Sequence, residues 1–471
     1  MWERRLGLLV CLAVASLSAL WLLYGVMRSE QLWVSLRYQL AYFGLPAGLL
    51  VASLGALFIA SPLRLAAGAS LIALPAALYC AELALSLTQQ TRSELGRDRG
   101  APLAAGGDRR SMLDVVRDLR AAGERAYPLL GPWEFLVRRP GWRSDGPLDV
   151  GERRILPFGG VPDARIVYCQ EGTDWFTYRS DRHGFNNPDE IWDLPRVQLA
   201  AVGNSWILGA CLPGAGALPE LLRARTASFL NVSAGGTGPL IRLGMIEEYL
   251  APRRPETILW IASGPDFHTG MEMERGVAAL DGYLEGRRQD LARWRAPIAQ
   301  FLADYAERAL TTPDRPAPSA RPTLAYVDFI RLIKVRQWLA LDQCPPRSID
   351  WDGASRILSS ARERVSAWGG RLVFVYVPAW TRCDLFDVRR QDDTWLDRGV
   401  RDAVARAGIA FIDLRSILRD ESDPRRLYYF PGSHFSPEGA AKAAAAILAG
   451  IGNSEPGRSR RSSIWRGAIE R

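Results

Sequence analysis

Histidine and lysine are nearly missing from this chain. Its 471 residues include three histidines, and Lys334 and Lys442 are the only lysines. So few imidazoles, with no Cys-x-x-Cys pair beside them, argue against a zinc centre, and no metal or cofactor is expected. The scarcity of lysine leaves the formal net charge of +8 to arginine. Those arginines are scattered among acidic residues and form no basic stripe interleaved with aromatics, so a nucleic-acid partner is not expected. Cysteine is sparse too, and six in a chain this long do not make a disulfide scaffold. Cys11 and Cys80 fall in apolar segments. Cys169, Cys211, Cys344 and Cys383 are free to pair only if their domain lies in an oxidising compartment.

The N-terminus, by contrast, is rich in apolar sequence. Leu6–Met27 and Leu40–Ala60 carry no charge, and Leu65–Leu87 carries only Glu82. Each is about as long as a bilayer requires, so residues 1–90 read as three membrane-spanning helices and the bilayer as a partner. The first run is too long for a removed signal peptide and lacks a small-residue cleavage site. Arg4 and Arg5 favour a cytoplasmic N-terminus, and three spans then place the soluble part outside the cytoplasm. Arg92, Arg97 and Arg99 argue the other way, but long domains cross regardless of flanking charge, so an exported domain is expected.

Residues 91–195 read as a soluble accessory region. Met112, Val115, Val116 and Leu119 recur at helical spacing, "ARIVYCQ" and "DWFTYRS" look like short strands, and "SDRHGFNNP" is dense in turn formers. From residue 196 to 452 the pattern becomes strand–helix alternation. Apolar runs at Val197–Val202, Ser228–Val232, Thr257–Ala262, Arg371–Val377 and Ala410–Asp413 alternate with helical stretches at Leu240–Leu250, Thr394–Ala407 and Pro437–Leu448. Such alternation predicts an α/β fold with a parallel sheet covered on both faces. Residues 264–350 break the rhythm and read as a helical insertion or cap over the sheet's C-terminal edge. Residues 453–471 read as a basic disordered tail.

In an open parallel sheet the functional groups collect at the carboxyl ends of the strands. Read in order, those ends are Gly203-Asn204-Ser205, then "NVSAGGTGP" with Gly235 and Gly236, then Ser263-Gly264-Pro265-Asp266, and finally "FPGSHFSPEG" with His434. Taken singly, Ser205 reads as a helix cap, the glycine pair as a turn and His434 as an exposed loop residue. Their order and spacing carry the meaning. Of the three histidines, His183 precedes the sheet, His268 follows the third strand inside the expected cap, and His434 follows the fifth strand just before a helix.

The arrangement resembles the SGNH/GDSL hydrolase family, in a bacterial membrane-anchored subgroup, over roughly Gly107 to Gly452. "DVVRDLRAAGERAYP", "VYCQEG", "SDRHGFNNP" and "NVSAGGTGPLIRLGMIEEY" look like stretches of that subgroup. The resemblance implies a flavodoxin-like three-layer domain with Ser205 as nucleophile, His434 as base and Gly235 as an oxyanion donor. Two departures stand out. Pro265 occupies the place of an asparagine that donates to the oxyanion, and proline offers no such group. Neither Pro431 nor Gly432 supplies the aspartate that precedes the histidine, which leaves a Ser205–His434 dyad oriented by a backbone carbonyl. Asn204 or Thr237 is the expected replacement donor, and Asp266 is expected to line the site. The resemblance thus implies a serine esterase or O-acyltransferase of the bacterial inner membrane, its soluble domain periplasmic, acting on an ester of a cell-envelope polysaccharide or lipid. The alternative is an inactive domain that binds glycan or scaffolds an assembly.

Overall fold

The computed structural model describes residues 2–33, 36–59, 66, 68–70, 73, 75–86, 107–136, 148–311, 329–339, 341, 349–380, 395–430 and 432–453. Cys344, Cys383, Pro431 and the 454–471 part of the tail lie outside the described residues. The chain divides into two compact units, one made of residues 1–99, 314–347 and 382–385 and the other of the remainder.

The first unit holds three helices long and apolar enough to cross a membrane, Gly7–Met27, Leu36–Ala56 and Gly68–Ser86. The second starts at Leu36, ahead of its apolar run, because Leu36–Gln39 is helical and a π-helical turn at Leu40–Gly44 leads into Leu45–Ala56. Glu82, the lone acid of the third helix, is buried and accepts N–H bonds from Lys334 (2.9 Å) and Val335 (2.7 Å). A carboxylate in apolar surroundings needs such donors. They come from the short helix Ile333–Trp338, so this part of the expected 264–350 cap packs with the apolar helices.

In the second unit the accessory region supplies β1 (Ala126–Pro128), a hairpin of β2 (Leu148–Val150) and β3 (Arg153–Ile155), then β4 (Arg165–Val167) and β5 (Thr177–Arg179). β4 is the centre of a small sheet, parallel to β1 and antiparallel to β5. Helix Met112–Ala121 buries Val115 and Val116 against Ala126 and Val167 of this sheet. Its start is fixed by a capping box of Ser111 and Asp114, a device worth about 1 kcal/mol. Helix Arg295–Thr311 packs Leu302 and Ala306 among Tyr127, Ile166 and Phe176. The residues expected as one cap over the main sheet therefore serve several surfaces, this helix belonging with the accessory sheet.

The main sheet consists of β6 (Leu199–Gly203), β7 (Phe229–Ser233), β8 (Thr257–Ala262), β9 (Arg371–Tyr376) and β10 (Ala410–Asp413), all parallel in the order β10-β9-β8-β6-β7. β8 and β10 occupy the ranges read from the sequence, β6 and β7 are shifted by one or two residues at both ends, and β9 stops one residue early. Because side chains alternate across a strand, Ala200, Val202, Ile258, Trp260, Leu372 and Phe374 enter one core. Leu199, Ala201, Leu259, Ile261, Val373 and Val375 enter the other. Helices Trp351–Ser366 and Trp395–Arg406 cover the first face, and Leu218–Arg223 and Pro437–Asn453 cover the second. From β6 the chain steps to β7 on one side, then returns past β6 to β8 on the other. That reversal falls at the carboxyl end of β6, immediately before Ser205, where open α/β sheets place their ligands.

Candidate active site

Ser205 begins a single helical turn, Ser205–Leu208, directly after β6. Asn204 caps the turn by accepting the Trp206 N–H (3.1 Å), and Gly209 ends it at φ 86°, a left-handed conformation that glycine adopts without a Cβ clash. The turn is also held from outside. Asn186 donates its amide to Leu208 O (2.9 Å), and Asn231 donates to Ile207 O (2.8 Å). Asn187 joins them by donating to Asn231 O (2.9 Å). "SDRHGFNNP" thus clamps the nucleophile turn, organised around the buried Asp181, which accepts from His183 N, Phe185 N, Asn187 and Trp192. Burial lifts the Asp181 carboxyl to about 6 against those donors.

The structure brings the two expected catalytic side chains together. His434 Nε2 lies 2.8 Å from Ser205 Oγ. His434 stands in a loop shaped by Ser433, whose hydroxyl accepts from Phe430 N and donates to His434 O, and Trp206 packs edge-on against the imidazole at 5.0 Å. The other two histidines stay apart from this pair in role. His183 is wedged against Trp192 and Tyr249, and burial lowers it to about 4. His268 is half-buried, its Nδ1 3.1 Å from the hydroxyl of the neighbouring Thr269.

The acid expected to be missing is present, and it comes from the accessory region. Glu171 Oε1 lies 2.9 Å from His434 Nδ1, and its Oε2 accepts the His434 backbone N–H at 2.7 Å. With a carboxylate beside Nδ1, the ring proton belongs there, which leaves Nε2 to accept the Ser205 hydroxyl proton. This corrects the expected dyad: the carboxylate replaces a backbone carbonyl. Glu171 sits in "VYCQEG", a stretch marked in the sequence by its resemblance and by a cysteine able to pair, though neither assigned the acid a role. Cys169 is bonded to Cys211, six positions after Ser205. Cys211 Sγ lies 3.5 Å from His434 Nδ1. Glu171, Cys211 and His434 hold their ligand atoms within 4.8 Å of one another, but the sulfur is spent in the disulfide and offers no thiolate.

Asn204 and Thr237, the expected substitute donors, are committed elsewhere. Asn204 Nδ2 donates to both oxygens of Asp266 (2.7 and 2.9 Å), and Thr237 Oγ1 donates to Gly203 O (3.0 Å). Asp266 also accepts from Ser263 N (2.7 Å) and pairs with the fully buried Arg242 (2.9 Å), whose Nη2 donates to Thr237 O. Asn204, Asp266, Arg242 and Thr237 therefore brace the loops after β6, β7 and β8 to one another. The Asn204 amide and the Thr237 hydroxyl are therefore spent on these internal braces. The backbone N–H groups of Ser205 and Gly235 have no protein acceptor among the described residues.

Residues 341–463, which include His434 but not Ser205, match the family model described as SGNH hydrolase-like domain, acetyltransferase AlgX. No curated protein matches the chain. Among solved structures, the chain is similar to a lipase/acylhydrolase from Enterococcus faecalis at 12% identity, over 56% of this chain and 100% of that one, with a TM-score of 0.32. A putative SGNH hydrolase from Slackia heliotrinireducens is 16% identical over 54% of this chain and 99% of its own, with a TM-score of 0.29. The C-terminal part of this chain's α/β domain, with strand β10 and His434, is thus similar to an SGNH hydrolase-like domain.

Proposed function

We propose that the protein is a membrane-anchored serine acyl-transfer enzyme, an esterase or O-acyltransferase, in which Ser205, His434 and Glu171 act as a triad. The observation that carries this reading is the unbroken chain from Ser205 Oγ to His434 Nε2 at 2.8 Å and from Nδ1 to Glu171 at 2.9 Å. His434 takes the Ser205 proton as Oγ attacks an ester carbonyl, and Glu171 holds the tautomer and stabilises the imidazolium. The Ser205 and Gly235 N–H groups receive the oxyanion. His434 then returns its proton to the leaving alcohol, and the acyl group passes from Ser205 to water or to an acceptor hydroxyl.

The matched family's description as an acetyltransferase favours acetyl as the acyl group and a hydroxyl as acceptor. Three apolar helices favour a membrane anchor. A disulfide beside the site suits an oxidising compartment, which supports a periplasmic domain working on an ester of envelope glycan or lipid. The rival reading, an inactive glycan-binding or scaffolding domain, retains Pro265 in its favour and loses the missing acid. The deciding experiment is p-nitrophenyl acetate turnover by the full chain in detergent, compared with Ser205→Ala. Equal rates for the two proteins would end the enzyme reading.

A further inference from the structure

Pro265 leaves the oxyanion side of the site one donor short, and the accessory region that supplies the acid also reaches that side. Tyr168 precedes the bonded Cys169 and stands three residues before Glu171. This segment is fixed at several points. Tyr168 N donates to Phe176 O (3.0 Å) and Phe176 N to Cys169 O (2.8 Å), which extends the β4–β5 pairing. Cys169 is tied to Cys211 beyond the nucleophile turn, and Glu171 is tied to the base. At its other end the segment meets the Gly235 turn. A Cβ built on Gly235 would lie 3.1 Å from the Tyr168 hydroxyl, so glycine here admits the phenol at close range. Trp133 packs on the adjacent Gly236, which walls the turn from the other direction. The Tyr168 hydroxyl has no hydrogen-bond partner among the described residues. Burial, followed by the charge of Glu171, raises its pKa and keeps it an O–H donor.

We infer that Tyr168 is a catalytic residue, its hydroxyl donating to the ester oxyanion beside the Gly235 N–H in place of the asparagine that Pro265 displaces. The inference rests on the triad reading above. One four-residue segment then serves both sides of the nucleophile, with Tyr168 at the oxyanion and Glu171 behind the base. No proton leaves Tyr168. It holds charge that forms in the transition state and is absent from the ground state, so its loss belongs in kcat.

The test uses the full chain in detergent and compares wild type with Tyr168→Phe, Tyr429→Phe and Ser205→Ala. Tyr429 lies against Gly172 on the same segment but outside the proposed machinery. Removing one oxyanion donor costs roughly 10²–10³ in kcat. Tyr168→Phe should therefore lower kcat by about that factor with KM little changed. It should also slow labelling of Ser205 by a fluorophosphonate, whose phosphoryl oxygen takes the oxyanion position as Oγ displaces fluoride. Tyr429→Phe should change neither. Wild-type kcat and labelling in Tyr168→Phe, with Ser205→Ala inactive, would overturn this inference and leave the triad standing. A wild-type protein with neither turnover nor Ser205 labelling would overturn both.

Discussion

Replacing Glu171 by glutamine tests the triad at its least expected member, and the geometry fixes what the amide must do. Both carboxylate oxygens are acceptors, Oε2 of the His434 backbone N–H at 2.7 Å and Oε1 of the Nδ1–H at 2.9 Å. Glutamine has one acceptor and one donor end. The backbone N–H cannot change its role, so the amide oxygen stays with it and the NH₂ turns toward Nδ1. Nδ1 must then accept, which moves the ring proton to Nε2, facing Ser205. A base that already holds its proton cannot take another. The corresponding loss in a serine triad is roughly 10⁴ in kcat, or about 5.5 kcal/mol of barrier at about 1.36 kcal/mol per tenfold. The ground state should lose little, since a hydrogen bond is exchanged and not deleted, so KM and thermal midpoint should stay near wild type. Steady-state hydrolysis of p-nitrophenyl acetate by the full chain gives kcat and KM, and a thermal melt guards against misfolding. A Glu171→Gln kcat within about tenfold of wild type would refute the tautomer argument.

The surroundings of the site carry further outcomes. Reducing the Cys169–Cys211 bond, or replacing Cys169 by serine, frees the segment that carries Glu171, and a displacement of about 1 Å can cost roughly 10²-fold in rate. The matching assay is kcat with and without a thiol reductant, and an unchanged rate would show that packing alone holds the acid. Asp266→Ala leaves the buried Arg242 without its carboxylate, which should cost about 3–5 kcal/mol in stability and loosen the Ser205 loop, read by denaturant melts and kcat together. Glu274, which accepts from Gly238 N and Leu240 N beside the Gly235 loop, is lifted by burial from its ordinary 4.5 to about 7. The folded chain therefore binds a proton that the unfolded chain has released, and this group's contribution to stability falls as pH rises from about 4.5 to 7, then levels off. Glu274→Gln should flatten that part of the melting profile, and an unaltered slope would assign it to other groups.

Much of the fold was legible because its signals are local. A central parallel strand covered on both faces must be almost wholly apolar, so β8 could be bounded from composition alone. Membrane-length apolar runs announce themselves in the same way, and His434 stood out because only three histidines exist. Glu171 was not legible. It lies 263 residues from His434, and no rule of spacing joins an acid in the loop between β4 and β5 to a base beyond the main sheet. Asn204 and Thr237 were misjudged as oxyanion donors for the same reason: a side chain's donors are spent by neighbours that sequence order does not reveal, here Asp266 and Gly203. The sequence by itself determined which segments form the main sheet and where along the chain a nucleophile and a base stand. Tertiary structure alone decided which carboxylate serves the base, because a hydrogen bond depends on distance in space and the covalent order of the chain sets no limit on which groups meet.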